Sequence, residues 1–193
     1  MSRRVVLATM SLAAFVLLSI VIIATPSGEP ALAAAAPADQ TTILMKVTGA
    51  RQGDINGGST LRGHEGWIGV LALSHEIVSP RDPASGLPTG KRQHKPFVIT
   101  KEIDKATPLL FKALTDNENV TTVLLEFFKT DPTTGKEVTY YTIELRNASI
   151  AGIQTQGPAA EVREQVSFVY QKIIWTWTDG GVTFEDNWTE EVA

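Results

Sequence analysis

The chain contains no cysteine. Disulfides, thiolate zinc sites, cysteine nucleophiles and a lipid-modified cysteine anchor are therefore excluded, and packing and hydrogen bonds must hold the fold. Histidine is scarce as well: the chain has 3, His64, His75 and His94. No pair of them has the i, i+2 or i, i+4 spacing of a ready-made metal pair, so neither a metal nor a cofactor is expected. Basic charge is in deficit, with 17 Lys and Arg against 21 Asp and Glu, a net charge of -4. Binding a polyanion needs a surplus of clustered Lys and Arg, so nucleic acid is not an expected partner. The sequence also lacks G-x-S-x-G, Walker and H-E-x-x-H motifs, and with them ready-made hydrolase, NTPase and metalloprotease chemistry.

What is present is 193 residues, 43% hydrophobic and 20% charged, a globular composition sized for one ordinary domain. The first residues are of another kind. Arg3 and Arg4 precede an apolar run over residues 5–24, followed by Thr25-Pro26-Ser27-Gly28-Glu29-Pro30 and then small residues including Ala31-Leu32-Ala33. Basic, apolar, helix-breaking and small residues in that order form the layout of a signal peptide, here residues 1–36, with residues 37–41 as a spacer. The run over residues 5–24 also reaches the length needed to span a bilayer, so a retained membrane anchor is the alternative. Loss of residues 1–36 removes Arg3, Arg4 and Glu29 and leaves the mature chain slightly more acidic.

From Thr41 onward, Val, Ile, Thr, Phe, Tyr and Trp gather in short runs separated by Gly, Pro, Asn and Asp, the pattern of strands joined by turns. Strands are expected at 42–48, 67–78, 96–101, 120–129, 137–147, 149–155 and 165–176. Tyr141, Ile143 and Leu145 alternate with Thr142, Glu144 and Arg146, which makes one face apolar and the other solvated. Val123, Leu124, Leu125, Phe127 and Phe128 leave neither face polar, and neither do Val166, Phe168, Val169, Ile173, Ile174, Trp175 and Trp177. Such strands need cover on both sides, from a helix or a second subunit. One helix is expected, capped by Thr107, with Pro108 at its first position and Leu109, Leu110, Ala113 and Leu114 at helical spacing, ending by Asn117. Residues 79–90 carry three prolines and two glycines between strands, a long polar loop of the kind usually kept for function.

Several residues admit a chemical role and a plainer one. Glu102 and Asp104 share strand parity, as paired carboxylates for acid–base work would, but Lys101 and Lys105 beside them suggest a solvated, charge-balanced strand end. His75 is expected within a strand, and His64 and His94 at loop borders. Trp175 and Trp177 fall on one strand face, about 7 Å apart. They serve either core or subunit packing or, in an exported protein, a platform for stacking a glycan or other ligand.

The ordered motifs "GHEG" at 63–66, "GKRQHKPF" closing the proline-rich loop, "ITKEIDKATPLLFKAL", and "VSFVYQKIIWTW" followed by "DNW" resemble the Hcp (haemolysin-coregulated protein) family of type VI secretion tube proteins. The resemblance covers nearly all of the chain from Leu44 onward. It implies a mainly β fold: a compact β-barrel of two antiparallel sheets with one short flanking helix and a long extended loop. It further implies hexameric rings that stack into a tube, a lumen able to carry secreted effectors, and no catalytic residues. The family's extended loop contacts neighbouring subunits or rings, and here it corresponds to Ser79, Pro80, Arg81, Asp82, Pro83, Gly86, Pro88, Gly90, Lys91, Arg92 and His94. Family members are made without a signal peptide, so the leader is a departure. It places the protein in the periplasm or outside the cell, with membrane contact only through an uncleaved N-terminus.

The mature protein is expected to begin between Ala33 and Ala38. N-terminal sequencing of the exported form tests this, and intact Met1 in a soluble cytosolic fraction would refute cleavage and anchoring alike.

Overall fold

The computed structural model describes residues 42–188; the signal peptide or anchor expected over 1–36 and the spacer over 37–41 lie outside the described residues. The elements run β1 (Thr42–Gly49), β2 (Gly53–Ile55), β3 (Ile68–Val70), β4 (Ala72–Ser74), β5 (Ile77–Val78), β6 (Gln93–His94), β7 (Phe97–Glu102), α1 (Thr107–Thr115), β8 (Val120–Thr130), β9 (Glu137–Gln156), β10 (Arg163–Trp177) and β11 (Val182–Asn187). Nine strands form one antiparallel sheet in the order β2-β1-β8-β9-β10-β7-β4, with β3 also on β1 and β11 on β10. β3 pairs with β1 and β4 pairs with β7, and Leu71 alone separates them. The Leu71 N–H donates to Thr100 O at 2.8 Å, so this short strand joins the two ends of the ladder and wraps the sheet into a barrel. Closure of this kind leaves few open edges for unwanted pairing.

The expected strand at 67–78 is thus three pieces. It changes partner at Leu71, then leaves the sheet at His75 and Glu76, which lie outside any strand. The opposite correction applies to 137–147 and 149–155, which form the single strand β9. Asn147 takes a left-handed φ of 48°, a conformation Asn tolerates better than most residues, and the ladder to β10 continues on both sides of it. Around Asn147 the buried positions change parity in three adjacent strands. They pass from Val120 to Val123 in β8, from Leu145 to Ala148 in β9, and from Tyr170 to Ile173 in β10. The register of both ladders runs unbroken through this point, so the three strands change parity together and the bending sheet keeps its apolar side inward.

The core collects Met45, Val47, Ile68, Phe97, Ile99, Leu125, Leu145, Val166, Phe168 and Ile173, all essentially without exposure, and α1 adds Leu110 and Ala113. Pro108 stands in the first turn as expected, but the cap position is Ala106 and no side chain caps it. Instead of capping, the Thr107 hydroxyl donates to Glu164 Oε2 at 2.8 Å. A buried carboxylate is the stronger acceptor, and it claims that proton.

The expected solvated strand end is also corrected. Lys101 and Glu164 are 0% and 1% exposed, and the Lys101 ammonium lies 3.0 Å from Glu164 Oε2 and 2.9 Å from Asp104 Oδ1. It donates further to Glu102 O at 2.6 Å and to Thr107 Oγ1 at 3.1 Å. Only Glu102 and Lys105 stay exposed. Strand parity explains this, since Lys101 follows Phe97 and Ile99 on the inner face of β7. A second buried acid, Glu118, accepts the backbone N–H groups of Arg51 and Gln52 at 2.6 and 2.8 Å. Burial raises its carboxyl pKa, but those hydrogen bonds outweigh the effect and hold it below the ordinary value. Its Oε1 would stand 2.6 Å from a Cβ at position 49, so any larger residue there would push Glu118 off its two backbone donors.

Lys101→Ala is expected to destabilise the domain by about 3–5 kcal/mol in chemical denaturation, because it strands Glu164 without its cation. The double replacement Lys101→Met with Glu164→Leu removes both charges and should be the milder change. A double variant as unstable as the single one would show that the charge pairing is not the cause.

Candidate functional site

The expected long polar loop is a hairpin arm. Its root is the two-stranded sheet of β5 and β6, which pairs Ile77 with His94 and Val78 with Gln93. Further out, Arg81 bridges to Pro88, Thr89 N–H donates to Pro80 O at 3.0 Å, and Asp82 N–H donates to Leu87 O at 2.9 Å. At the tip the Asp82 carboxylate accepts from Ala84 N, Ser85 N and Ser85 Oγ at 3.1, 2.7 and 2.8 Å. The Ser85 N–H leads in holding its carboxyl below the ordinary value. Gly86 closes the turn at φ 70°, while Arg81 donates to its carbonyl. Proline has no N–H to leave unmet, and Pro80, Pro83 and Pro88 also restrict the undocked chain. Ser79, Arg81, Pro83, Gly86, Pro88, Gly90 and Lys91 are exposed, and so is the Leu87 side chain near the tip, at 65%.

Arg92 and His94 return the arm to the barrel. The Arg92 guanidinium forks onto the Asp186 carboxylate and also donates to Asn187 O. His94 Nε2 lies 3.0 Å from Asp186 Oδ2, and its Nδ1 lies 2.9 Å from the Tyr170 hydroxyl. His75 Nε2 reaches the same hydroxyl at 2.6 Å. Trp188 Nε1–H donates to the Tyr170 carbonyl, and a cleft of about 350 Å³ opens beside the group, lined by Arg92, His94, Val169, Tyr170 and Trp188 among others. Arg92 holds the Asp186 carboxyl below its ordinary value against burial, with His94 adding to the effect. Burial pushes the Tyr170 hydroxyl up, and the Asp186 charge pushes the same way. Burial and then the neighbouring His94 lower His75.

Of these residues, the sequence pointed to Arg92 and His94 and missed Tyr170 and Asp186. Tyr170 stood out only as a hydroxyl among apolar neighbours in β10, and Asp186 only as an acid in the short polar run of β11. His64 sits apart, 3.0 Å from Glu126, with its ring edge-on to Trp67 and Phe128. Its loop thereby supplies part of the cover that β8 needed on its second face, from within the same chain. Trp175 stacks on Phe184 at 5.6 Å and 11° and packs against the core. Trp177 is 44% exposed, among Tyr140, Tyr141 and Lys129. One ring face of the pair is therefore already taken by this chain. Among the described residues no three His, Asp or Glu side chains gather as a metal site, and no helix is long and apolar enough to cross a membrane.

A mainly antiparallel β-barrel bearing one short helix and a fastened hairpin arm defines the class of protein. Residues 44–177 match the family model described as "Type VI secretion system effector, Hcp", and the chain belongs to the Hcp family, the tube-forming secreted proteins of the type VI secretion system. It is 40% identical over 170 residues to the "Major exported protein" of Pseudomonas aeruginosa, covering 79% of this chain and 98% of that protein. Hcp1 from the E. coli EAEC 042 pathovar superposes with a TM-score of 0.71 at 32% identity, over 76% of this chain and 98% of the other. The secreted protein Hcp3 from Pseudomonas aeruginosa gives 0.65 at 34% identity, over 77% and 98%. The family and the name of the Pseudomonas relative both indicate export.

Tyr170→Phe keeps the ring and deletes the hydroxyl that both histidines use. A loss of about 1–3 kcal/mol is expected in chemical denaturation, from buried imidazole nitrogens left unpaired. Unchanged stability would mean that the hydroxyl does not tie the arm to the barrel.

Proposed function

We propose that copies of this chain assemble into hexameric rings that stack into a tube, with the arm of residues 79–94 making contacts between neighbouring subunits or rings. The carrying observation is the arm's construction. Its tip is folded by its own hydrogen bonds, so little freedom remains to be lost on docking, and it presents Leu87 to solvent. At 65% exposure that side chain is free to meet a neighbouring copy. In the assembled ring the lumen takes secreted effectors, and the chain's part is structural rather than enzymatic.

The first 36 residues act as an export leader ahead of the shared domain. Two observations support this role: the basic-apolar-small order of the segment, and the family match at residues 44–177, which lies wholly after it.

Leu87→Asp should leave the barrel folded by circular dichroism while weakening ring or tube formation at least about tenfold in light scattering, as expected for an anchor at an interface centre. Assembly at the wild-type concentration would remove the arm from the contact.

A further inference from the structure

We infer that the base of the arm is a proton-sensitive latch: His75, Tyr170 and His94 form a directed hydrogen-bond chain that fastens the arm to β11 while both rings are neutral and releases it when they gain protons. The inference concerns regulation of the same arm and rests on the assembly role proposed above.

The direction of the chain follows from its far end. Asp186 is ionised, gripped by Arg92, and can only accept. His94 Nε2, 3.0 Å away, must therefore carry a proton. In a neutral ring that leaves Nδ1 bare, and it accepts from the Tyr170 hydroxyl at 2.9 Å. The hydroxyl has a single proton, so its oxygen accepts from His75 Nε2–H at 2.6 Å. Each proton has one place, running from His75 through Tyr170 and His94 to Asp186.

Protonation breaks this order. A proton on His94 Nδ1 turns that nitrogen into a donor, and the Tyr170 hydrogen must swing toward His75. A proton on His75 as well leaves two imidazolium donors aimed at one oxygen, with the hydroxyl hydrogen lacking an acceptor. Charge points the same way. Among the described residues, the charged groups in contact with the latch besides the two rings are Arg92 from the arm and Asp186 from β11, which pair with each other. Glu76 and Lys95 join the arm's root by a backbone bond and have exposed side chains. Phe97 and Trp175, 5.2 and 6.2 Å from the His75 ring, offer no charge. A proton added at His75 thus meets no carboxylate of its own and lies beside His94 in a half-buried site, and the adjoining cleft gives water a route to it.

Linkage gives the pH window. Burial and His94 hold His75 below its ordinary 6.5, so an opened arm binds the proton more tightly than a closed one. Closure is therefore complete above 6.5 and weakens as pH falls through the lowered value. Asp186, held below its ordinary 3.8, stays ionised throughout, and Tyr170 keeps its proton, so neither of them accounts for the change.

Amide hydrogen–deuterium exchange on the full chain tests this, with labelling times scaled to intrinsic rates at about pH 8 and about pH 5, on either side of an imidazole's usual range. Peptides spanning 77–94 should lose at least about tenfold of their protection at the lower pH, with β8 unchanged. The chain with His75→Gln, whose amide donates without titrating, should lose much less. Equal protection of the wild-type arm at both pH values, or the same loss in the variant, overturns the latch. Long-range 1H–15N spectra of the wild-type rings need no variant: both must be Nε2-protonated at the higher pH, and Nδ1-protonated His94 refutes the chain. Light scattering on the same samples separates the two ideas. Acid-loosened arms in a chain that forms no rings at any pH overturn the assembly role and leave the latch, whereas rings with acid-indifferent arms overturn the latch alone.

Discussion

The pairing of β9 with β10 is the constraint on which the rest of the structure depends. These two strands stay paired from Gln156 and Arg163 at one end to Tyr141 and Trp177 at the other, and the remaining barrel strands attach to their flanks. β8 and then β1 join β9, while β7 and β11 join β10. A one-residue slip would turn every buried side chain outward, and the parity change near Asn147 makes that penalty apply on both sides of the bend. The register that buries Phe168 and Ile173 also fixes Tyr170 beneath the arm and Trp175 against Phe184. The site is therefore a consequence of the core and not an addition to it.

Buried charge marks the points where connections meet the barrel. Lys101, Glu164, Asp104 and Thr107 tie the end of β7, the start of α1 and the start of β10 into one knot. Glu118 does the same for the turn after β1 and the segment leading into β8. Such groups contribute little net stability, because desolvation offsets much of the attraction, and Glu164 Oε1 finds no donor among the described residues. Their effect is on geometry: an ion pair satisfied in one arrangement penalises others, and it fixes where the helix enters. The cluster around Asp186 is built differently: it joins two imidazole rings through a phenol hydroxyl, and an imidazole is the side chain whose donor count a proton changes most readily.

Much of the barrel was legible in the sequence because strands announce themselves through local alternation. Tyr141, Ile143 and Leu145 identified the central strand, and Pro108 with Leu110 and Ala113 identified the helix. What escaped was decided by partners distant in sequence. Nothing local says that residues 67–78 must leave β1 for β7 at Leu71, or that Asn147 bends a strand rather than ending it. Lys101 read as solvated because its neighbours are charged; it is buried because strand parity and Glu164, far along the chain, take it inward. Arg92 and His94 were visible as part of the arm, but their acceptors lie on β10 and β11, and only the folded ladder brings them together.

The arm separates two requirements that usually conflict in an assembling protein. Its outer half must be rigid, since a floppy contact loses affinity to ordering, and Asp82, Gly86 and the prolines provide that rigidity without help from the barrel. Its base sets how the rigid piece is aimed, and there the fastening is a short chain of polar contacts instead of apolar packing. Apolar packing would hold the arm at every pH. Beside the Arg92 fork on Asp186, hydrogen bonds through Tyr170 add their hold only while the proton count is right, so the arm's aim can change while its tip stays folded. The identity of the contact then resides in residues 79–90, and the timing of its presentation resides in His75, Tyr170, His94 and Asp186.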